Sequence, residues 1–219
     1  MMHMVYNKEH MKRYIDVKTW NRRDHFSFFS HYEIPRFNMT FDLDVTKLYQ
    51  WVKKENVSFY LALMHHVIQS LNQVENFQYR IDEKGVFHEP IRYVSFTDKR
   101  ISDDLFKMVF CEVDDDCLTF INHAKKTSEK QGDIFFVPAS ETVLNTLYVT
   151  SFPWRRFHHF SHATLLGPKD SVPRISWSQF ETLKDRKILT LSVEVHHGLV
   201  DGVHVAQWLT LLEQRFNEL

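Results

Sequence analysis

The run Ile188-Leu189-Thr190-Leu191-Ser192-Val193-Glu194-Val195 alternates apolar and polar side chains, and it ends on His196-His197-Gly198-Leu199-Val200-Asp201-Gly202. Alternation with β-branched residues predicts a strand. From Val203 to Phe216 the apolar spacing becomes helical. His-His-x-x-x-Asp-Gly therefore sits where a strand hands over to a helix. A strand end fixes the backbone of a histidine, and the following loop leaves a ring nitrogen accessible, which suits a general base. Gly202 permits a tight turn beside Asp201. Adjacent strand residues point to opposite faces, so only one of His196 and His197 faces a given cleft and the other is packed. The spacing is not that of a zinc-binding helix, which needs two histidines at i and i+4 with a glutamate between them. Asp-Gly is also an ordinary turn signal, so the motif alone leaves a plain turn open.

Composition narrows the classes. A chain of 219 residues suits one or two domains, and no Pro- or Ser-rich linker divides it, so a single domain over 1–219 is expected. Nineteen Phe and 15% aromatic residues provide for a large core. A net charge of −1 gives no electrostatic case for nucleic acid. No apolar stretch approaches the ~20 residues that span a bilayer. Met1-Met2-His3-Met4-Val5-Tyr6-Asn7-Lys8 lacks a signal-peptide apolar region, and Cys111 and Cys117 make no disulfide framework. The expectation is a cytoplasmic protein without a membrane partner.

Further elements follow from periodicity. Asp16 or Thr19 is expected to cap a helix through Phe28-Phe29-Ser30. Phe37 to Val45 alternates like a strand, and Val45, Leu48, Trp51 and Val52 have helical spacing. Ser58 caps a long helix whose stripe is Tyr60, Leu61, Leu63, Met64, Val67, Ile68 and Leu71. Tyr79–Phe87, Tyr93–Phe96, Phe106–Val113, Leu144–Phe152 and Phe157–Leu166 read as strands, and a helix runs from Asp114-Asp115-Asp116 through Lys130. Mixed strands and helices without βαβ regularity predict an α/β two-layer sandwich with a mixed sheet.

Three polar clusters admit plainer readings than a site. Asp114-Asp115-Asp116 is a solvated helix start, where acids favour the dipole, rather than a metal site. In a strand, His158, Phe160 and His162 would share a face, but two histidines are too few for structural zinc. His65-His66 in the long helix reads as packing plus surface.

Val193-Glu194-Val195-His196-His197-Gly198-Leu199-Val200-Asp201-Gly202-Val203-His204-Val205-Ala206 resembles the catalytic signature of the chloramphenicol acetyltransferases. Trp20-Asn21-Arg22-Arg23-Asp24-His25-Phe26 is similar to that family's opening helix. Val57-Ser58-Phe59-Tyr60 resembles its Lys-Phe-Tyr-Pro helix start, and Thr150-Ser151-Phe152-Pro153-Trp154 its Ser-Ala-x-Pro-Trp segment. These landmarks come in family order over nearly the whole chain. Peptide-synthetase condensation domains share the core motif at roughly twice the length. Dihydrolipoyl acyltransferase cores usually place Arg after the first His and carry lipoyl domains upstream.

The resemblance implies the CoA-dependent acyltransferase fold, a homotrimer with its site between subunits, and acetyl transfer from acetyl-CoA to a hydroxyl, with no tightly bound cofactor and no metal. By position His197 matches the base. Asp201 matches a residue that pairs with an arginine, here Arg22, and Gly202 follows it. This departs from a Ser-His-Asp triad, in which the acid orients the base. The oxyanion donor, a serine in the family, falls at Thr150, and a water-holding threonine at Ser176. Acceptor-pocket positions fall at Phe28, Phe29, Phe106, Phe160, His162, Thr164 and Arg174. Phe29 replaces a tyrosine and Arg174 an isoleucine. A charge at Arg174 is costly in an apolar pocket unless paired, so either it points outward or the acceptor differs from chloramphenicol. CoA-associated positions fall at Trp154, Gln179 and Phe180, the last two replacing Lys and Tyr. The expected function is acetyl-CoA-dependent O-acetylation of chloramphenicol. The alternatives are a related acyltransferase on another hydroxyl or amine acceptor, and a non-catalytic binding protein, against which the retained His197, Asp201, Gly202, Arg22 and Thr150 hydroxyl argue.

Overall fold

The computed structural model describes residues 12–138, 143–164 and 166–219. The N-terminal stretch from Met1 to Lys8 lies outside them. In chain order the elements are β1 (Arg13–Tyr14), α1 (Arg23–Phe29), β2 (Arg36–Asp44), α2 (Thr46–Glu55), α3 (Phe59–Leu71), a 3-10 turn (Glu75–Gln78), β3 (Tyr79–Asp82), β4 (Gly85–His88), β5 (Tyr93–Lys99), β6 (Phe106–Glu112), α4 (Cys117–Gln131), β7 (Thr146–Phe152), β8 (Arg174–Ser178), β9 (Glu181–Leu183), β10 (Arg186–His196) and α5 (Gly202–Asn217).

Helix starts follow their side chains. Ser58 Oγ accepts the Leu61 N–H at α3, and Asp116 Oδ1 accepts the Thr119 N–H at α4, so the acidic run is a helix cap. Asp114 instead meets His123. At the end of α2, Asn56 adopts the left-handed conformation that stops a helix.

The main sheet has the order β2-β10-β8-β7-β5-β6, with β9 paired to β10. β5–β7 and β7–β8 are parallel and the other pairs antiparallel. A small sheet, β1-β4-β3, lies apart from it. Along β10, Leu189, Leu191, Val193 and Val195 join the core with Leu63, Met64 and Val67 of α3 and Trp208 and Leu212 of α5. The indole N–H of Trp208 donates to Ser70 Oγ and ties α5 to α3. This is the two-layer mixed-sheet architecture expected from the pattern.

The opposite face of β10 is polar yet buried, and one irregular segment covers it. Arg156 Nε donates to Thr190 Oγ1, Ser192 Oγ donates to the Phe160 carbonyl, the His162 N–H donates to Glu194 Oε2, and His196 Nε2 meets the Pro168 carbonyl. Each inward polar side chain of the strand thus holds one point of the segment above it.

That arrangement corrects the strand read over Phe157–Leu166. Its described residues are not in a strand, because side chains of β10, not a neighbouring backbone, take up their polar groups. His158, Phe160 and His162 therefore share no strand face. The strands missed nearby are β8, buried throughout, and β9. Tyr79–Phe87 splits into a hairpin, with Gly85 at a positive φ of 129° where it turns into β4. The first helix begins at Arg23, because Asp16 closes a local turn through Lys18 N and Thr19 Oγ1. His65 and His66 are both buried, with no surface share.

Candidate active site

His197 is the first residue beyond β10. Its N–H donates to the Pro35 carbonyl at 2.7 Å, which fixes the chain as it leaves the sheet. Its ring stacks on Phe29, with centroids 4.1 Å apart and planes 15° from parallel. Phe37 flanks it at 4.5 Å. Nδ1 is buried without a hydrogen-bond partner and lies 3.4 Å from Asp201 Oδ1, while 36% of the side chain stays exposed. The imidazole is thus gripped between aromatic faces and open along one edge.

His196 points the other way and is 1% exposed. Its Nε2 donates to the Pro168 carbonyl, and its Nδ1 accepts the Gly198 N–H at 3.0 Å. Nδ1 accepts only when it carries no proton, so the pair of bonds is that of the neutral ring with its hydrogen on Nε2, and burial pushes its pKa down to about 4. A Cβ on Gly198 would stand 2.9 Å from His196 Cε1 and 3.3 Å from Phe26 Cα. Gly198 is therefore a close-approach glycine, which the motif pattern does not single out.

Arg22, 7% exposed, organises the loop. Its guanidinium donates to Asp201 Oδ2 at 2.5 Å and Oδ1 at 3.0 Å, and also to the carbonyls of His197 and Gly198. This fork holds the Asp201 carboxyl below the usual carboxylate range. Both carboxylate oxygens accept from Arg22, and Oδ1 is the one that lies 3.4 Å from His197 Nδ1. Gly202 follows as the first residue of α5.

Arg174 departs from the expectation for a charge in an apolar pocket. It neither points outward nor stands unpaired. It is buried, its Nη1 donates to Glu194 Oε1 at 3.0 Å, and its Nη2 donates to Asp170 Oδ2 at 2.7 Å. Arg36 bonds the same two acids. Burial raises the Glu194 pKa, but the His162 bonds and the two arginines outweigh it and hold it at about 2. Neither Glu194 nor Arg36 is a candidate from sequence, because the four charges meet from three separated segments.

The remaining candidates fall into separate groups. Phe28, 58% exposed, stands at the edge of Phe29 beside His197. Phe160 packs on His162, whose Nδ1 lies 3.8 Å from Glu194 Oε2, and Thr164 Oγ1 donates to the His162 carbonyl. Thr150 on β7 shares a hydrogen bond with Thr97, and Ser176 beside it on β8 is fully buried with an unpartnered Oγ. Trp154 is exposed against Phe152, the Gln179 N–H donates to the Phe152 carbonyl, and Phe180 packs edge-on to Tyr49 and Phe59. Phe106 is 53% exposed on β6, at the far edge of the sheet.

The register fixes how far apart these groups are. Thr150 pairs with Ser176, and Ser176 with Ser192, five residues before His197. At ~4.8 Å per strand and ~3.4 Å per residue, Thr150 and His197 of one chain are roughly 15–20 Å apart. Phe106 is roughly as far from β10, across four strand spacings of ~4.8 Å.

Residues 11–213 match the family model described as chloramphenicol acetyltransferase. The chain belongs to the chloramphenicol acetyltransferase family. Chloramphenicol acetyltransferase 3 of Escherichia coli is 27% identical over 203 residues, covering 92% of this chain and 95% of its own length. A chloramphenicol acetyltransferase of Campylobacter coli is 26% identical over 208 residues, covering 93% and 98%. A solved chloramphenicol acetyltransferase structure superposes with a TM-score of 0.82 at 20% identity, covering 93% of this chain and 99% of that one. A probable dihydrolipoamide acetyltransferase from Listeria monocytogenes gives 0.63 at 14% identity, covering 89% of each. At those identities the structural likeness speaks for the fold alone, the CoA-dependent acyltransferase fold. The chloramphenicol acetyltransferase family is a family of acyltransferases, so the chemistry to account for is acyl transfer. Among the described residues, no helix is long and apolar enough to cross a membrane.

Proposed function

We propose that this chain is an acetyl-CoA-dependent chloramphenicol O-acetyltransferase, one domain over residues 1–219, acting in the cytoplasm as a homotrimer and inactivating the antibiotic. The observation that carries the reading is the state of His197: an imidazole clamped by Phe29 and Phe37, part-exposed, with the neighbouring carboxylate already engaged by Arg22.

In this reading the acceptor hydroxyl attacks the thioester carbonyl of acetyl-CoA. With Nδ1 turned inward to Asp201, Nε2 takes the hydroxyl proton as the C–O bond forms. The tetrahedral oxyanion accepts a hydrogen bond from Thr150. The intermediate then expels the CoA thiolate, which takes the proton from the imidazolium, leaving acetylated acceptor and free CoA thiol. Thr150 and His197 of one chain are too far apart to serve one carbonyl, so the donor and the base come from different copies. A ring of like copies meets that requirement, with the His197 end of one chain facing the Thr150 and Phe106 surface of the next. Ser176 would hold a water near the acceptor. Trp154, Gln179 and Phe180 are the CoA contacts, with Lys187 4.9 Å from the Tyr49 ring and 5.4 Å from Phe180 as the nearby cation.

Arg174 carries no objection to an apolar acceptor, because its charge is compensated within the fold. Phe28, Phe29, Phe160, His162 and Thr164 are then the acceptor-facing groups. The test is thiol release from acetyl-CoA with chloramphenicol, and mass spectrometry of the product, in wild type and His197→Ala. Wild-type turnover with a loss of about 10²–10⁴-fold in the variant supports the reading. Turnover only with another hydroxyl or amine compound replaces the acceptor and keeps the mechanism. Near-normal turnover in His197→Ala rejects the mechanism.

A further inference from the structure

We propose that His204 is a positioning residue for the reaction at His197, acting through the Asp201 amide to set the loop that carries the base. The inference rests on reading His197 as that base. His204 is the third residue of α5, and its Nδ1 accepts the Asp201 N–H at 2.9 Å. This is the reciprocal arm of a capping box, a place ordinarily taken by Glu or Gln. Here an imidazole fills it. The amide it holds belongs to the residue whose carboxylate Arg22 grips, and Arg22 also bonds the carbonyls of His197 and Gly198. Asp201 is therefore held at two points, its carboxylate by Arg22 and its N–H by His204. Between them they set where the loop from His197 meets α5.

The contact works in one protonation state. A proton on Nδ1 would set two donors against each other. Burial and the Arg22 charge lower the His204 pKa, and Asp201 pulls the other way. Two substitutions separate the acceptor from the ring. In His204→Asn, Oδ1 lies the same number of bonds from Cβ as Nδ1. His204→Phe keeps a ring and has no acceptor.

The test uses the full chain with acetyl-CoA and chloramphenicol. His204→Phe is expected to lower kcat about ten- to a hundredfold with both KM values within about twofold, and His204→Asn to return kcat to within about threefold of wild type. Amide exchange at Asp201, read without substrate, is expected to quicken in His204→Phe and stay slow in His204→Asn. Unchanged kcat in His204→Phe, or no rescue by Asn, overturns the positioning role. Unchanged Asp201 exchange in His204→Phe overturns the contact whatever the turnover. Where the wild type acetylates another hydroxyl or amine compound instead, the same comparison is read with that acceptor, and absence of wild-type turnover with every such acceptor overturns the reading of His197 and with it the catalytic part of this inference.

Discussion

The Phe29 ring lies flat on the His197 imidazole, 4.1 Å away and 15° from parallel. A stacked aromatic restrains both the tilt and the position of the ring it covers, and such pairs contribute about 0.5–1.5 kcal/mol beyond buried area. Phe29→Leu keeps an apolar residue and loses the flat partner. Steady-state kinetics should show kcat reduced about tenfold, by misorientation of the imidazole. Unchanged kcat with a raised chloramphenicol KM would mean that Phe29 serves the acceptor alone.

Gly198→Ala should damage the site without touching a reacting group. The added methyl meets His196 and the Phe26 backbone, and neither is the far end of a flexible chain. Overpacking of this kind costs about 1–3 kcal/mol. Denaturant melts should show that loss, and activity should fall with it as the His197 loop shifts. A fully stable, fully active variant would contradict the close approach of the loop to His196.

The buried ion cluster predicts strong coupling between Arg174 and Glu194. Removing one partner of a buried pair costs about 3–5 kcal/mol, whereas removing both together is much less damaging. Arg174→Ile and Glu194→Gln should each destabilise the chain, and the double variant should lose clearly less than the two losses added. Additive losses in urea titrations would show that the charges are held independently.

Stability should fall in acid because of buried neutral histidines. His66 has both ring nitrogens unpartnered, and burial, with Arg215 and His65, pushes its pKa to about 3. The unfolded chain protonates this group near its ordinary value of 6.5, so below that pH the unfolded state binds the extra proton. The stabilising difference is present above pH of about 6.5 and is lost as pH falls toward about 3. His66→Leu should therefore flatten the stability–pH curve over that window. At pH 7 it should also gain about 1 kcal/mol from removal of an unsatisfied buried group. A variant as acid-sensitive as wild type would assign the loss to other groups, His196 first.

Two inactive variants should complement each other. If His197 and Thr150 of different copies form one site, subunits of His197→Ala and Thr150→Ala refolded together should regain about a quarter of wild-type sites, by random assortment around a closed ring. Each alone should stay inactive at that level. No recovery in mixtures shown by light scattering to be trimeric would place both groups in one subunit's site.

What was legible in the sequence was local. The alternation of β10, the Ser58 and Asp116 caps and the helical spacing of α5 are written in neighbouring residues, and the structure has them. The opposite facing of His196 and His197 follows from strand geometry alone. The segment beyond Phe157 misled the pattern reading because its alternation answers to side chains of β10, a strand distant in sequence. Arg174 looked like a stranded charge for the same reason. Its acids, Asp170 and Glu194, arrive from a loop and another strand. The sequence by itself determined the strand–motif–helix unit and its likeness to one family, since both depend on residues adjacent along the chain. Only the tertiary structure decided which charges cancel, how Arg22 engages Asp201, and that Thr150 and His197 of one chain lie far apart, because those depend on sheet order and register.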